Sequence, residues 1–122
     1  MKLKMALAGA TAVLIGGLAV ADNHPTGDAA IQARQAAMKA IGAAAKAGDF
    51  AAMNEAAVEA QVAFIDDTTA DGTQKTEASP AIWSDKEGFD TIMLQLIELS
   101  AAGDKAVFGT CKSCHGDYRV KN

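Results

Sequence analysis

Four stretches of the chain carry apolar residues at helical spacing. In the first, about Asp28 to Ala47, one stripe holds Ile31, Arg34, Met38, Ile41 and Ala45. Thr26 or Asp28 stands where a cap is wanted, and Gly48 stands where a helix end favours glycine. The second stretch starts at Asp49 and runs to about Asp66. Phe50, Met53, Ala57, Gln61 and Phe64 share a face there, with Val58, Val62 and Ile65 beside it. The third opens at Ser84 or Asp85 and carries Phe89, Ile92, Met93, Leu96 and Leu99 up to Gly103. The fourth, capped by Asp104 and reaching about Val120, aligns Val107, Cys111, Cys114 and Tyr118, with His115 next to them. No alternating pattern of the kind that marks strands competes. Short breaks within the first and last pairs predict antiparallel neighbours, so the expected fold is all-α, an up-down-up-down four-helix bundle. Between the second and third helices, positions 67–84 form a polar stretch with Gly72 and Pro80. That is long for a bundle connection, and such loops are either functional or mobile.

The chain begins differently. Lys2 and Lys4 precede Met5 to Val20, which carry no charge, and Ala19-Val20-Ala21 has the small-x-small form of a cleavage site. This is the three-part pattern of a secretory leader, too short for a membrane span of about 20 residues. The expected division is a signal peptide over 1–21 and one folded domain over 22–122, exported to the periplasm, with no membrane association after cleavage. Losing Lys2 and Lys4 takes the net charge from −4 to −6. That acidity excludes a sequence-independent grip on nucleic acid, which needs a basic face. Half of the residues are hydrophobic, which excludes a disordered chain, and two cysteines exclude a disulfide-stapled miniprotein. The stripes are built largely of alanine, so a bundle of this size is marginal without something bulky at its centre.

Cys111-Lys112-Ser113-Cys114-His115 supplies a candidate. C-x-x-C-H is the attachment signature of a c-type haem. On a helix, positions i, i+3 and i+4 share a face, so two thiols can reach the two vinyl groups while the histidine presents its imidazole to the iron. At this composition the motif arises by chance roughly once in two thousand such chains. C-x-x-C also serves disulfide exchange, but that chemistry expects a βαβ context. A structural zinc site needs a fourth ligand, and the only other histidine is His24, near the predicted mature N-terminus.

Four helices with C-x-x-C-H near the end of the last resemble the cytochrome c-prime family. Arg34 to Met38 resembles that family's first-helix haem motif. Ile82-Trp83-Ser84-Asp85 with Phe89 resembles the segment entering its third helix, and Cys111 to His115 with Tyr118-Arg119 resembles its last. The fourth helix departs from the family in having only about ten residues ahead of His115. The resemblance implies one covalent haem c on Cys111 and Cys114, with His115 as proximal iron ligand. It also implies a pocket including Arg34, Trp83, Phe89, Met93 and Arg119, with Arg34 a partner for a haem propionate.

The sixth iron position decides function. Spacing puts Met38, Met53 and Met93 on inward stripes and chooses none of them. The resemblance selects Met38. In a low-spin branch of the family a methionine there binds the iron; in the high-spin branch an apolar side chain blocks that face and the iron stays five-coordinate. The string Gln35 to Lys39 resembles the low-spin branch. Met38 and His115 as axial ligands imply a single-electron carrier rather than an enzyme, with redox partners bearing basic patches to meet its acidic surface. An unligated Met38 implies instead a protein that binds nitric oxide or carbon monoxide. The family also pairs through its first two helices, so a homodimer is a further expectation.

Overall fold

The computed structural model describes residues 23–120, so the expected signal peptide lies outside the described residues. Four long helices and two short ones account for the fold: α1 (Gly27–Ala47), α2 (Phe50–Ala63), α3 (Thr68–Asp71), α4 (Ala81–Ser84), α5 (Lys86–Ala102) and α6 (Val107–Tyr118). Among the described residues there is no strand, only an isolated antiparallel bridge between Ala78 and Arg119. The all-α expectation holds.

Local chemistry sets most of the helix ends. Gly48 adopts φ 68° and its N–H returns to the carbonyls of Ala44 and Ala45, which closes α1 in the left-handed conformation that costs glycine least. Asp49 then accepts from the N–H of Ala52 and opens α2. Two residues thus reverse the chain. Gly103, at φ 67°, ends α5 in the same way, and Asp85 caps its start by accepting from Gly88 N. Thr26 stands at the N-cap of α1 as expected, but neither it nor Asp28 caps the helix through its side chain. Thr26 makes no side-chain bond to the helix, and the Asp28 carboxylate turns outward to Thr73 and Gln74. The last helix starts at Val107 because Asp104 spends its carboxylate on Ala106 N in a preceding turn. It has eight residues ahead of His115, fewer still than the sequence suggests.

α2 stops at Ala63, three residues before its expected end, and the cause lies far away in sequence. Arg34 Nε donates to Ala63 O at 2.8 Å, and its Nη2 donates to Asp66 O at 2.7 Å. Trp83 Nε1 donates to Phe64 O at 3.0 Å. Carbonyls orphaned at the end of α2 are thereby satisfied by two side chains. The buried face of α2 is Met53, Ala56, Ala57, Ala60 and Ala63, whereas Val58 and Ile65, expected beside the inward face, are 44% and 39% exposed. Small side chains here and at Ala30, Ala37 and Ala44 let α1 and α2 pack closely.

Packing runs from α1 to α2, from α2 to α5 and from α5 to α6, and no comparable packing joins α1 to α6. The core follows that order, through Ile41, Met53, Phe64, Phe89, Met93, Leu96 and Val107. Phe89, 1% exposed, is the largest of the fully buried side chains. Burying such a ring contributes about 1.5–3 kcal/mol. Asn54 Nδ2 donates to Ile97 O and ties α2 to α5. The ring of long helices is therefore open on one side, between α1 and α6.

The segment between α3 and α4 closes the mouth of that opening. Asp28 accepts from Thr73 N, Thr73 Oγ1 and Gln74 N, which anchors the segment to α1. Its other end is held at α6, where Ser79 N donates to Tyr118 O and Val120 N donates to Glu77 O. The polar stretch is a strap tied at both ends.

Candidate functional site

A cavity of about 630 Å³ lies between α1 and α6. Cofactor-sized sites span about 300–1,000 Å³. Arg34, Gln35, Met38 and Lys39 form its α1 wall. Cys114, His115, Tyr118 and Arg119 form its α6 wall. Lys75 to Ala78 lie along the strap, and Phe64, Ile82 and Phe89 supply an apolar floor.

α6 is helical through the whole motif, so Cys111, Cys114 and His115 share one face as the spacing requires. Both thiols are free and half-buried. Burial pushes the Cys111 thiol up. Burial, followed by Cys111 and Asp117, pushes Cys114 up to about 11. A redox-active C-x-x-C motif needs the opposite, a thiol held near or below neutral pH. Desolvation and then the charge of Arg119 push the His115 pKa down, against the pull of Glu77. The imidazole is thus neutral at neutral pH, the form that binds a metal. No group of three His, Cys, Asp or Glu stands together at metal-binding distance among the described residues.

The expected site residues divide. Met38, Arg34, Phe89, Cys114, His115 and Arg119 line the cavity. Cys111 does not line it and stands one turn before Cys114 on α6, partly buried. Trp83 and Met93 do not line it: Trp83 stacks on Arg34, and Met93 is 1% exposed within the core. Lys75 and Thr76 on the wall were missed in the sequence, and Gln35, Lys39 and Ile82 were named there only as members of motif strings. Glu77, on the strap, pairs with Arg119 at the exposed rim. Phe64 and Tyr118 were placed on helix stripes, a signal sufficient to find them.

Aromatic rings tie the floor together. Phe64 and Phe89 meet at 4.9 Å between centroids, and Tyr118 stands edge-on to Phe89 at 5.4 Å. Tyr118 Oη donates to Asp85 Oδ2 at 2.7 Å, joining the floor to the cap of α5. That hydrogen bond, with burial behind it, pushes Tyr118 up to about 12.

The residues present fit a haem. The cavity is of cofactor size, has an aromatic and aliphatic floor, and has Cys114 on one wall, with Cys111 one turn earlier on the same helix. A nitrogen donor stands on that wall and a thioether on the facing helix. A helical bundle with this site is a c-type cytochrome whose attachment motif sits on its last helix. Comparison with known proteins agrees. The chain is 33% identical to cytochrome c' of Rhodopseudomonas palustris over 99% of both chains. It is 34% identical to cytochrome c' of Rhodospirillum rubrum, over 68% of this chain and 71% of that one. A shorter match, 40% identical over 68 residues, covers 44% of this chain and 46% of cytochrome c' of Cereibacter sphaeroides. No family model matches the chain. No solved structure matches it significantly. The chain belongs to the cytochrome c' family and carries a covalently bound haem c.

Proposed function

We propose that this protein is an exported single-electron carrier in which His115 and Met38 are the two axial ligands of the haem iron. One observation carries the choice of methionine. Met38 lines the cavity that His115 also lines, whereas Met53 and Met93 are 0% and 1% exposed within the core and do not reach it. The bound haem supplies a one-electron ferric–ferrous couple, and a thioether ligand favours the ferrous side relative to a second nitrogen. His115, neutral and on a rigid helix, offers its ring nitrogen from α6. Met38 offers sulfur from α1 and leaves no open position for a small gas. Phe64, Ile82 and Phe89 exclude water from the floor.

Export follows from the leader expected over 1–21; among the described residues no helix is long and apolar enough to cross a membrane. Partners with basic patches meet the acidic surface outside the cavity, and their association weakens as salt rises.

The test is the absorption spectrum of the holoprotein, oxidised and then reduced. Sharp split bands on reduction, with a weak sulfur-to-ferric-iron band before it, support the carrier. Broad high-spin bands that sharpen only with carbon monoxide or nitric oxide support the gas-binding reading instead.

A further inference from the structure

The cavity wall is basic although the protein is acidic. Arg34, Lys39, Lys75 and Arg119 stand on it against a single carboxylate, Glu77. A haem brings two carboxylates of its own, and an anion placed beside low-dielectric walls needs a counter-charge.

Two of the four cations are already engaged. Arg34 is 3% exposed and gives Nε to Ala63 O, Nη1 to Thr68 Oγ1 and Nη2 to Asp66 O. Its guanidinium lies over Phe64 and Trp83, at 5.0 and 4.9 Å from the ring centroids. Arg119 is paired with Glu77. Lys39 and Lys75 make no ion pair with any described residue.

The chemistry of attachment separates these two lysines. A haem carries its vinyl groups on two adjacent pyrrole rings and its propionates on the other two. Thioether bonds to Cys111 and Cys114 would hold the vinyl side at those two residues, ahead of Arg119 along the chain. The propionate side would then lie toward Arg119 and the strap, which both line the cavity. Lys75 belongs to that end. Its position is fixed, because Asp28 holds Thr73 and Gln74, and Gln35 Nε2 donates to Lys75 O at 3.3 Å. Lys39 follows Met38 on α1.

We propose that Lys75, presented by the strap, is the counter-charge of a haem propionate, the role that sequence resemblance gives to Arg34. The strap is on this view part of the cofactor site: Asp28 and Gln35 act as positioning residues that set where the ammonium stands. The proposal rests on the covalent haem in this cavity and not on Met38.

The test is the reduction potential of the holoprotein as a function of pH, in the wild type, Lys75→Gln, Lys75→Arg, Lys39→Gln and Lys46→Gln. The pH at which the potential begins to fall reports ionisation of the propionate. A cation within about 4–6 Å lowers a carboxyl pKa by about 1–3 units. Lys75→Gln is therefore expected to move the break upward by about one pH unit, a tenfold weaker acid. Lys75→Arg restores it, and Lys46→Gln, away from the cavity, leaves it in place. An unmoved break in Lys75→Gln overturns the proposal, as does a break that moves in Lys39→Gln alone. A wrong axial assignment shows instead in the spin state of the wild type, so the two failures are distinguishable.

Discussion

Replacing Arg34 with methionine is the sharpest perturbation of the scaffold. The side chain is buried and bonds three acceptors, the carbonyls of Ala63 and Asp66 at the end of α2 and the Thr68 hydroxyl at the start of α3. Burial pushes its pKa down, opposed by Asp66, Asp71 and Asp67, yet a guanidinium remains charged. Hydrogen bonds from a charged donor contribute about 1.5–3 kcal/mol each. Stacking on two rings adds about 1 kcal/mol. Methionine fills much of the volume and removes the desolvation cost of the cation, an offset of a few kcal/mol. The net loss expected is about 3–4 kcal/mol, against a total of about 5–15 kcal/mol for a domain of this kind. At about 4–8 °C per kcal/mol in this size range, Tm falls by about 12–32 °C. Thermal unfolding of the holoprotein, followed by far-ultraviolet circular dichroism, measures it. Arg34→Lys keeps the charge but not the fork, and recovers less than half of the loss. A Tm for Arg34→Met within about 3 °C of wild type, accompanied by a changed potential, would refute the structural reading and return Arg34 to the propionate.

Three more outcomes follow from the geometry. A Cβ at Gly88 would stand 2.5 Å from Asp85 Oδ2 and 2.6 Å from Tyr118 Oη. Gly88→Ala therefore loses about 1–3 kcal/mol in chemical denaturation despite the better helix propensity of alanine, whereas Gly42→Ala, with nothing within 4 Å, gains about 0.5–1 kcal/mol. Tyr118 is the only tyrosine, so tyrosinate absorbance titrates it alone, with a midpoint expected at about 12. Its folded pKa lies above its unfolded value, so its contribution is complete below about pH 10 and is lost as pH rises to about 12; Tyr118→Phe removes that slope from the denaturation midpoint. The Asp28 carboxyl is held below its usual range by Thr73 and then Gln74, so its contribution is present above the unfolded carboxyl pKa and is lost as pH falls through the folded one. Asp28→Asn flattens that acid-side loss and speeds amide exchange at Thr73 and Gln74.

Features set by neighbouring residues were legible in the sequence, and features set at a distance were not. Gly48, Asp49, Asp85 and Gly103 mark helix ends because a cap bonds within one turn of itself. The end of α2 gave no such mark, since Arg34 and Trp83 impose it from 29 and 19 residues away. The strap looked like free loop because its anchor on Asp28 is 45 residues away. Val58 and Ile65 misled the assignment of the buried face, because alanine packs this seam and the larger apolar residues stand outside it. In the site, the spacing of Cys111, Cys114 and His115 carried its own geometry. Met38 could not be told from Met53 and Met93 by period, because all three lie on inward stripes and only the placement of α1 against α6 separates them. Lys75 was invisible for a simpler reason: a residue on a strap has no period to betray which way it faces.

The account turns on Met38, and the most direct measurement is the absorption spectrum of the Met38→Ala holoprotein beside that of the wild type. A low-spin wild type that loses its sulfur-to-iron band and becomes high-spin in Met38→Ala, while unfolding at a similar temperature, is the predicted result. Identical high-spin spectra from both proteins would contradict it, because Met38 would then be a wall of the cavity and not a ligand.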